Sequence, residues 1–179
     1  MQPALMIIDM QAAMRRPEAG VRNNPQAETN ISALLLHWRA LKQPIIHIRH
    51  ISRSATSLFA AGQAGAAFQA AFLPLPTEAV FEKNVPDVFT HSNLEHWLHV
   101  RGICDLVIVG VSTNNSVEST ARSAGNLGFN TRVVADACFA FEQTDYNGIK
   151  RSADEVHAMS LANLAADYAS IIKTHELLS

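Results

Sequence analysis

The sequence predicts an α/β fold: a three-layer αβα sandwich around a six-stranded, mostly parallel sheet, Rossmann-like, with strand order 3-2-1-4-5-6. Three observations lead there. Short apolar runs alternate with stretches of helical spacing. The runs are rich in β-branched residues and nearly unbroken, as in strands buried on both faces. Short turns join most of them, which favours parallel strands with right-handed crossovers. At 179 residues the chain reads as a single domain, 1–179, large enough to bury a core without disulfides.

Leu5 to Ile8 forms the first strand and delivers Asp9, Met10 and Gln11 to its carboxyl end. An aspartate there either caps the next turn or faces a site. Residues 12–24 read as a loop, and Pro25 opens the first helix at its N1 position. Ile31, Leu34, Leu35, Trp38 and Leu41 then recur as a core-facing stripe, so Trp38 is core by default. Pro44 ends that helix, and Ile45 to Ile48 makes the second strand. It runs out through His47, Arg49, His50, Ser52 and Arg53, an unusual density of polar donors. Arg49 and His50 are either substrate contacts or solvated turn residues.

Residues 54–78 are weakly patterned, with room for a small helix around Ala64 to Ala71. A connection of that length is often a lid or binding loop. Ala79 to Glu82 forms a third strand that delivers Lys83 to the same sheet edge as Asp9. Ser92 with Glu95 reads as a capping box opening a helix through Leu94, Trp97 and Leu98. Cys104, just before the next strand, is expected to be a buried thiol.

The stretch from Asp105 to Phe129 organises the rest: an apolar strand, the polar turn Ser112-Thr113-Asn114-Asn115-Ser116, then a helix stopped by Gly128. That helix turns Val117, Thr120, Ala121, Ala124 and Leu127 to one side. A strand-to-helix turn stands at the carboxyl edge of the sheet with helix N–H groups aimed outward, a geometry suited to a developing oxyanion. A fifth strand, Asn130 to Ala135, leads to Asp136, Ala137 and Cys138. Ser152 and Glu155 make another capping box, with Val156, Met159, Asn163 and Ala166 continuing the helix, and Ala169 to Lys173 is the sixth strand. Sites in such sheets lie where strand order reverses, so Asp9 and Ser116 would fall on opposite lips of one crevice.

Composition excludes several functions. A net charge of −2 without Lys/Arg clusters gives no support for a nucleic-acid or membrane-surface partner. Two cysteines and no long apolar segment indicate a cytoplasmic protein. Neither a Rossmann glycine fingerprint nor a P-loop is present, which argues against nucleotide cofactors. His47 and His50 lie three apart with no acidic residue between them, so no metal is expected.

With IIDMQ at residues 7–11, Lys83 followed by Phe89, GVSTNNSVESTARSAGNLGF at 110–129 and VVADAC at 133–138, the chain resembles the isochorismatase-like superfamily, the cysteine hydrolases. The resemblance implies Asp9 as acid/base, Lys83 as electrostatic support and position 116 as nucleophile. It also implies a cis peptide at Val111-Ser112, with the amides of Ser112 and Ser116 as oxyanion donors. Gln11, Arg49, His50, Phe89, Asn115 and Cys138 are weaker candidates for pocket walls. Family members are commonly homo-oligomers without organic cofactor. The nicotinamidases among them hold zinc through an Asp-x-His pair, and HIRHISR at 47–53 lacks it.

Position 116 is serine where the amidases carry cysteine. A thiol of pKa about 8.5 needs roughly 2 kcal/mol to ionise at neutral pH. An alcohol as reluctant as water, near 15.7, needs about 12 kcal/mol, so a base must take its proton during attack. Asp9, ordinarily near 4, is poorly suited to this; His47 and His50 are the other candidates. Three readings stand: hydrolysis of a small amide through Ser116, non-covalent hydrolysis of a vinyl ether by Asp9 and Lys83, or a metabolite-binding protein without turnover.

Overall fold

Alternation within the apolar runs sends successive side chains to opposite faces of a sheet, and helices cover both. The computed structural model describes residues 3–178. In chain order the elements are β1 (Ala4–Ile8), α1 (Ala27–Ala40), β2 (Ile45–His50), β3 (Ala79–Lys83), α2 (Leu94–Val100), β4 (Asp105–Val111) and α3 (Glu118–Asn126). There follow β5 (Asn130–Phe139), the hairpin strands β6 (Gln143–Thr144) and β7 (Lys150–Arg151), α4 (Ala153–Asp167) and β8 (Ser170–Ile172).

The main sheet has the order β3-β2-β1-β4-β5-β8, and every pairing in it is parallel. The expected order therefore holds with β8 as its sixth strand. β6 and β7 form a separate antiparallel pair.

Leu5 and Ile7 of β1 pack with Val107, Val109 and the α1 residues Ile31, Leu34, Leu35 and Trp38. Ala4, Met6 and Ile8 face the other way, onto Leu94 and Leu98 of α2, Ala121 and Ala124 of α3 and Leu164 of α4. One helix thus covers one face and three the other. Between β1 and β4 the backbones approach so closely that a Cβ on Gly110, at φ +124°, would stand 2.1 Å from Ile8 O. The β4–β5 register shifts beyond Ile108, so that Gly110 aligns with Cys138, and β5 extends past the predicted Ala135 to Phe139.

Several local expectations need correction. Helix α1 begins at Ala27 because Asn24, at φ +45°, holds the preceding turn, its Nδ2 donating to Ala135 O and Cys138 O; Pro25 lies outside the helix. Ser92 does not form a capping box: its Oγ donates to Val88 O and accepts from Leu94 N, and Asn93 takes the N-cap position. Residues 64–71 hold two short 3-10 turns rather than one helix. Cys104 is exposed, the buried place before β4 being taken by Ile103. Leu41 and Leu127, at helix ends, are largely exposed. On α4 the buried face is Ala153, Val156, His157, Ser160 and Leu164, and Met159 points to solvent.

The capping box at Ser152 is present, with Ser152 Oγ accepting from Glu155 N at 3.2 Å and Glu155 Oε2 from Ser152 N at 2.8 Å. Ser152→Ala is expected to lower Tm by about 2–4 °C. An unchanged thermal midpoint by circular dichroism would count against that role.

Candidate active site

Three of the strands that end at the carboxyl edge of the sheet bring a polar side chain to one place there, β1 through Asp9, β3 through Lys83 and β4 through the turn with Ser116. Asp9 follows β1 in the left-handed region, at φ +51°, with its N–H donating to Ile48 O. Lys83 closes β3, and its side chain passes the end of β2 to reach Asp9. Lys83 Nζ donates to Asp9 Oδ2 at 2.7 Å and to Ser116 Oγ at 3.0 Å. All three side chains are buried. Carboxylate, ammonium and hydroxyl, far apart in sequence, form one contiguous group.

Asp9 Oδ1 is buried and has no hydrogen-bond partner among the described residues. Burial pushes the Asp9 carboxyl above the ordinary carboxylate range, and the Lys83 ammonium opposes that shift. A carboxyl so displaced, with one oxygen uncommitted, can take or give a proton nearer neutral pH than an exposed aspartate.

Ser116 sits in a π-helical turn, Thr113–Val117, that joins β4 to α3. The Val111-Ser112 peptide entering the turn is cis. Ser112 O accepts from Asn115 N at 3.1 Å and Val117 N at 3.2 Å, so the turn closes around that carbonyl. Asn115 itself is exposed.

The remaining predicted residues are used differently. Gln11 is fully buried, with Nε2 donating to His50 O and Ala66 O and Oε1 accepting from His50 N. It braces the ends of β1 and β2 against residues 64–66. His50 is half-buried, edge-on to Phe59. Burial and the Lys83 charge lower its pKa, and Asp9 opposes them. Arg49 pairs with Glu82 on the partly exposed surface of the neighbouring strand. Phe89 stacks on Phe129 against the core. Cys138 is enclosed in the core with Sγ 3.9 Å from Ile108 O, and burial pushes its thiol up to about 12.

His47 is committed elsewhere. Its Nε2 lies 2.8 Å from Glu78 Oε2, and Arg39 Nε donates to Glu78 Oε1 at 2.7 Å. Burial works against the Glu78 charge, yet Arg39, the Leu75 N–H and His47 hold its pKa at about 2. No histidine hydrogen-bonds to Ser116 among the described residues. Nor do three or more His, Cys, Asp or Glu side chains there gather as a metal site. Sequence reasoning missed Glu78 and His157; a lone glutamate before a strand and a lone histidine on a helix carry no spacing signal.

An all-parallel open sheet with a buried acid, an ammonium and a hydroxyl at the reversal of strand order defines a doubly wound α/β protein with a polar site at its switch point. The isochorismatase domain model matches residues 3–176, and the chain belongs to that family. It is 38% identical over 176 residues to the isochorismatase family protein YrdC of Bacillus subtilis, covering 98% of this chain and 94% of the relative. The secreted isochorismatase effector Isc1 of Verticillium dahliae is 28% identical, over 97% of this chain and 88% of its own. A crystal structure of an isochorismatase-family protein from Chromobacterium violaceum superposes with a TM-score of 0.96 at 47% identity, covering 99% of this chain and 92% of the other.

Proposed function

We propose that this protein hydrolyses an amide-type C–N bond in a small metabolite, with Ser116 Oγ as the attacking atom, Asp9 as acid/base and Lys83 as electrostatic support. One observation carries the reading: a single ammonium touches both the carboxylate and the hydroxyl. As Oγ bonds to the substrate carbonyl carbon, Asp9 takes the hydroxyl proton on its uncommitted oxygen. The amides of Ser112 and Ser116 are assigned to the oxyanion. Asp9 then gives that proton to the leaving nitrogen as the C–N bond breaks; water, deprotonated by Asp9, attacks the acyl ester, and Asp9 returns the proton to Ser116 Oγ as the acid product leaves.

A second reading is water attack or vinyl ether protonation with Asp9 alone as acid/base. It is favoured by the same Lys83 contact, which uses Ser116 Oγ as an acceptor, and by the cost of ionising an alcohol. In both readings the free, exposed Cys104 thiol fits a reducing cytoplasm. The enzyme acts as a homo-oligomer, as the family resemblance implies.

Wild type, Ser116→Ala and Asp9→Asn are to be assayed against a panel of small amides and isochorismate. The covalent reading expects both variants to lose about 10³-fold or more in kcat, with an acyl adduct at Ser116 visible by mass spectrometry of wild type. Turnover that survives Ser116→Ala but not Asp9→Asn supports the second reading. Turnover that survives both overturns the two together.

A further inference from the structure

The turn that carries Ser116 is held from outside by α4. His157 and Ser160, three apart and therefore on one face of the helix, both reach Thr113. His157 Nδ1 lies 2.8 Å from Thr113 Oγ1. Ser160 Oγ stands 2.9 Å from Thr113 O and 2.6 Å from Glu118 Oε2, sharing its one proton between them. Thr113, His157 and Ser160 are all buried.

The proton on His157 can be placed by counting donors. Its Nε2 faces Asn24 Nδ2 at 3.4 Å, but both hydrogens of that amide are given to Ala135 O at 2.9 Å and Cys138 O at 2.6 Å. Nε2 receives no proton there, and the Ala135 backbone carbonyl beside the ring takes one from it, leaving Nδ1 as the acceptor for the Thr113 hydroxyl. Thr113 Oγ1 is thereby fixed in direction, and the turn starts from a fixed rotamer.

We propose that His157 is a positioning residue: by accepting the Thr113 hydroxyl proton it sets the pose of the turn and hence the Lys83–Ser116 contact. The inference rests on the reading of Asp9, Lys83 and Ser116 as the reacting group. Nothing else hydrogen-bonds to the Thr113 side chain among the described residues, so loss of His157 frees that rotamer inside a packed site. A misplacement of about 1 Å in such a group can cost about 10²-fold in rate.

The test reads geometry without needing a substrate. In a Cys104→Ser background, Ser116→Cys places a thiol beside the Lys83 ammonium, and its alkylation by iodoacetamide is followed by mass spectrometry from pH 5 to 10. The other thiol, Cys138, is buried and pushed up to about 12. The introduced thiol should titrate below the ordinary value of about 8.5. Adding His157→Leu should raise that apparent pKa by about one unit and slow alkylation at pH 7 about tenfold. His157→Asn, whose Oδ1 can take the place of Nδ1 as acceptor, should restore the parent profile.

Thr113→Val, which removes the hydroxyl at nearly constant shape, should reproduce the His157→Leu profile and serves if the leucine variant does not fold. An unchanged profile in folded His157→Leu, or in Thr113→Val, overturns the proposal. A parent thiol that titrates at the ordinary value overturns the Lys83–Ser116 geometry itself, and the inference with it.

Discussion

Gly110→Ala is expected to destabilise the protein by more than about 4 kcal/mol, beyond the range of most single substitutions. The added Cβ would meet Ile8 O at 2.1 Å and Ile8 N at 2.8 Å, both backbone atoms of the paired strand. Neither can move without opening the β1–β4 ladder, which pairs Ile8 with Gly110 at its last step. The φ of +124° adds a second penalty, since L side chains rarely adopt it. Ile8 precedes Asp9, so residual folded protein should also have its carboxylate displaced from Lys83. Urea denaturation followed by tryptophan fluorescence measures the effect; a loss below about 1.5 kcal/mol would show that the two strands can separate locally at little cost.

Lys83→Met should produce the second large loss, about 3–5 kcal/mol near pH 7.5, because it leaves the buried Asp9 carboxylate without its one charged partner. The direction with pH follows from linkage. Burial already raises the Asp9 carboxyl in the folded protein, and removing the ammonium raises it further. Between the unfolded value, about 3.9, and that raised value the folded state binds the extra proton, so stability falls as pH rises through the window. The gap between wild type and variant should therefore be widest at neutral to alkaline pH and narrow toward pH 4. Urea midpoints measured at pH 7.5 and 4.5 decide the matter, and an equal gap at both would mean that Asp9 does not stay buried in the variant.

The alternation of apolar runs and helical stretches was enough to locate the six sheet strands along the chain, most plainly the inner β1 and β4, whose buried runs are almost wholly apolar; their order across the sheet came from the doubly wound pattern. Asp9 and Lys83 stand out for a related reason: each is the first charged side chain after such a run or its closing residue. Their meeting with Ser116 was legible through the order of strands at the sheet edge together with the family resemblance. What stayed hidden depends on partners that no local pattern specifies. Gln11 reads as a polar residue near a site, yet its carboxamide is spent on carbonyls 39 and 55 residues away. Cys104 is exposed and Ile103 buried in its stead because one residue of phase before a strand decides which side chain goes inward. On α4, Met159 is the more apolar choice, but His157 and Ser160 take the inner face since Thr113 and Glu118 offer them hydrogen-bond partners there.

The Gln11 brace bears on how the chain tolerates being severed. Arg53 to Thr56 is an exposed stretch, whereas residues 66–69 are tied back to the end of β1 through Ala66 O, the Ala12 N–H to Ala67 O and the Gln69 N–H to Met10 O. A protease nick in that stretch would leave one fragment holding β1 and β2 and another holding the rest. Because β1 and β2 lie between β3 and β4 in the sheet, the smaller fragment would be interleaved within the larger, a two-piece molecule held by the same ladders that hold the intact one.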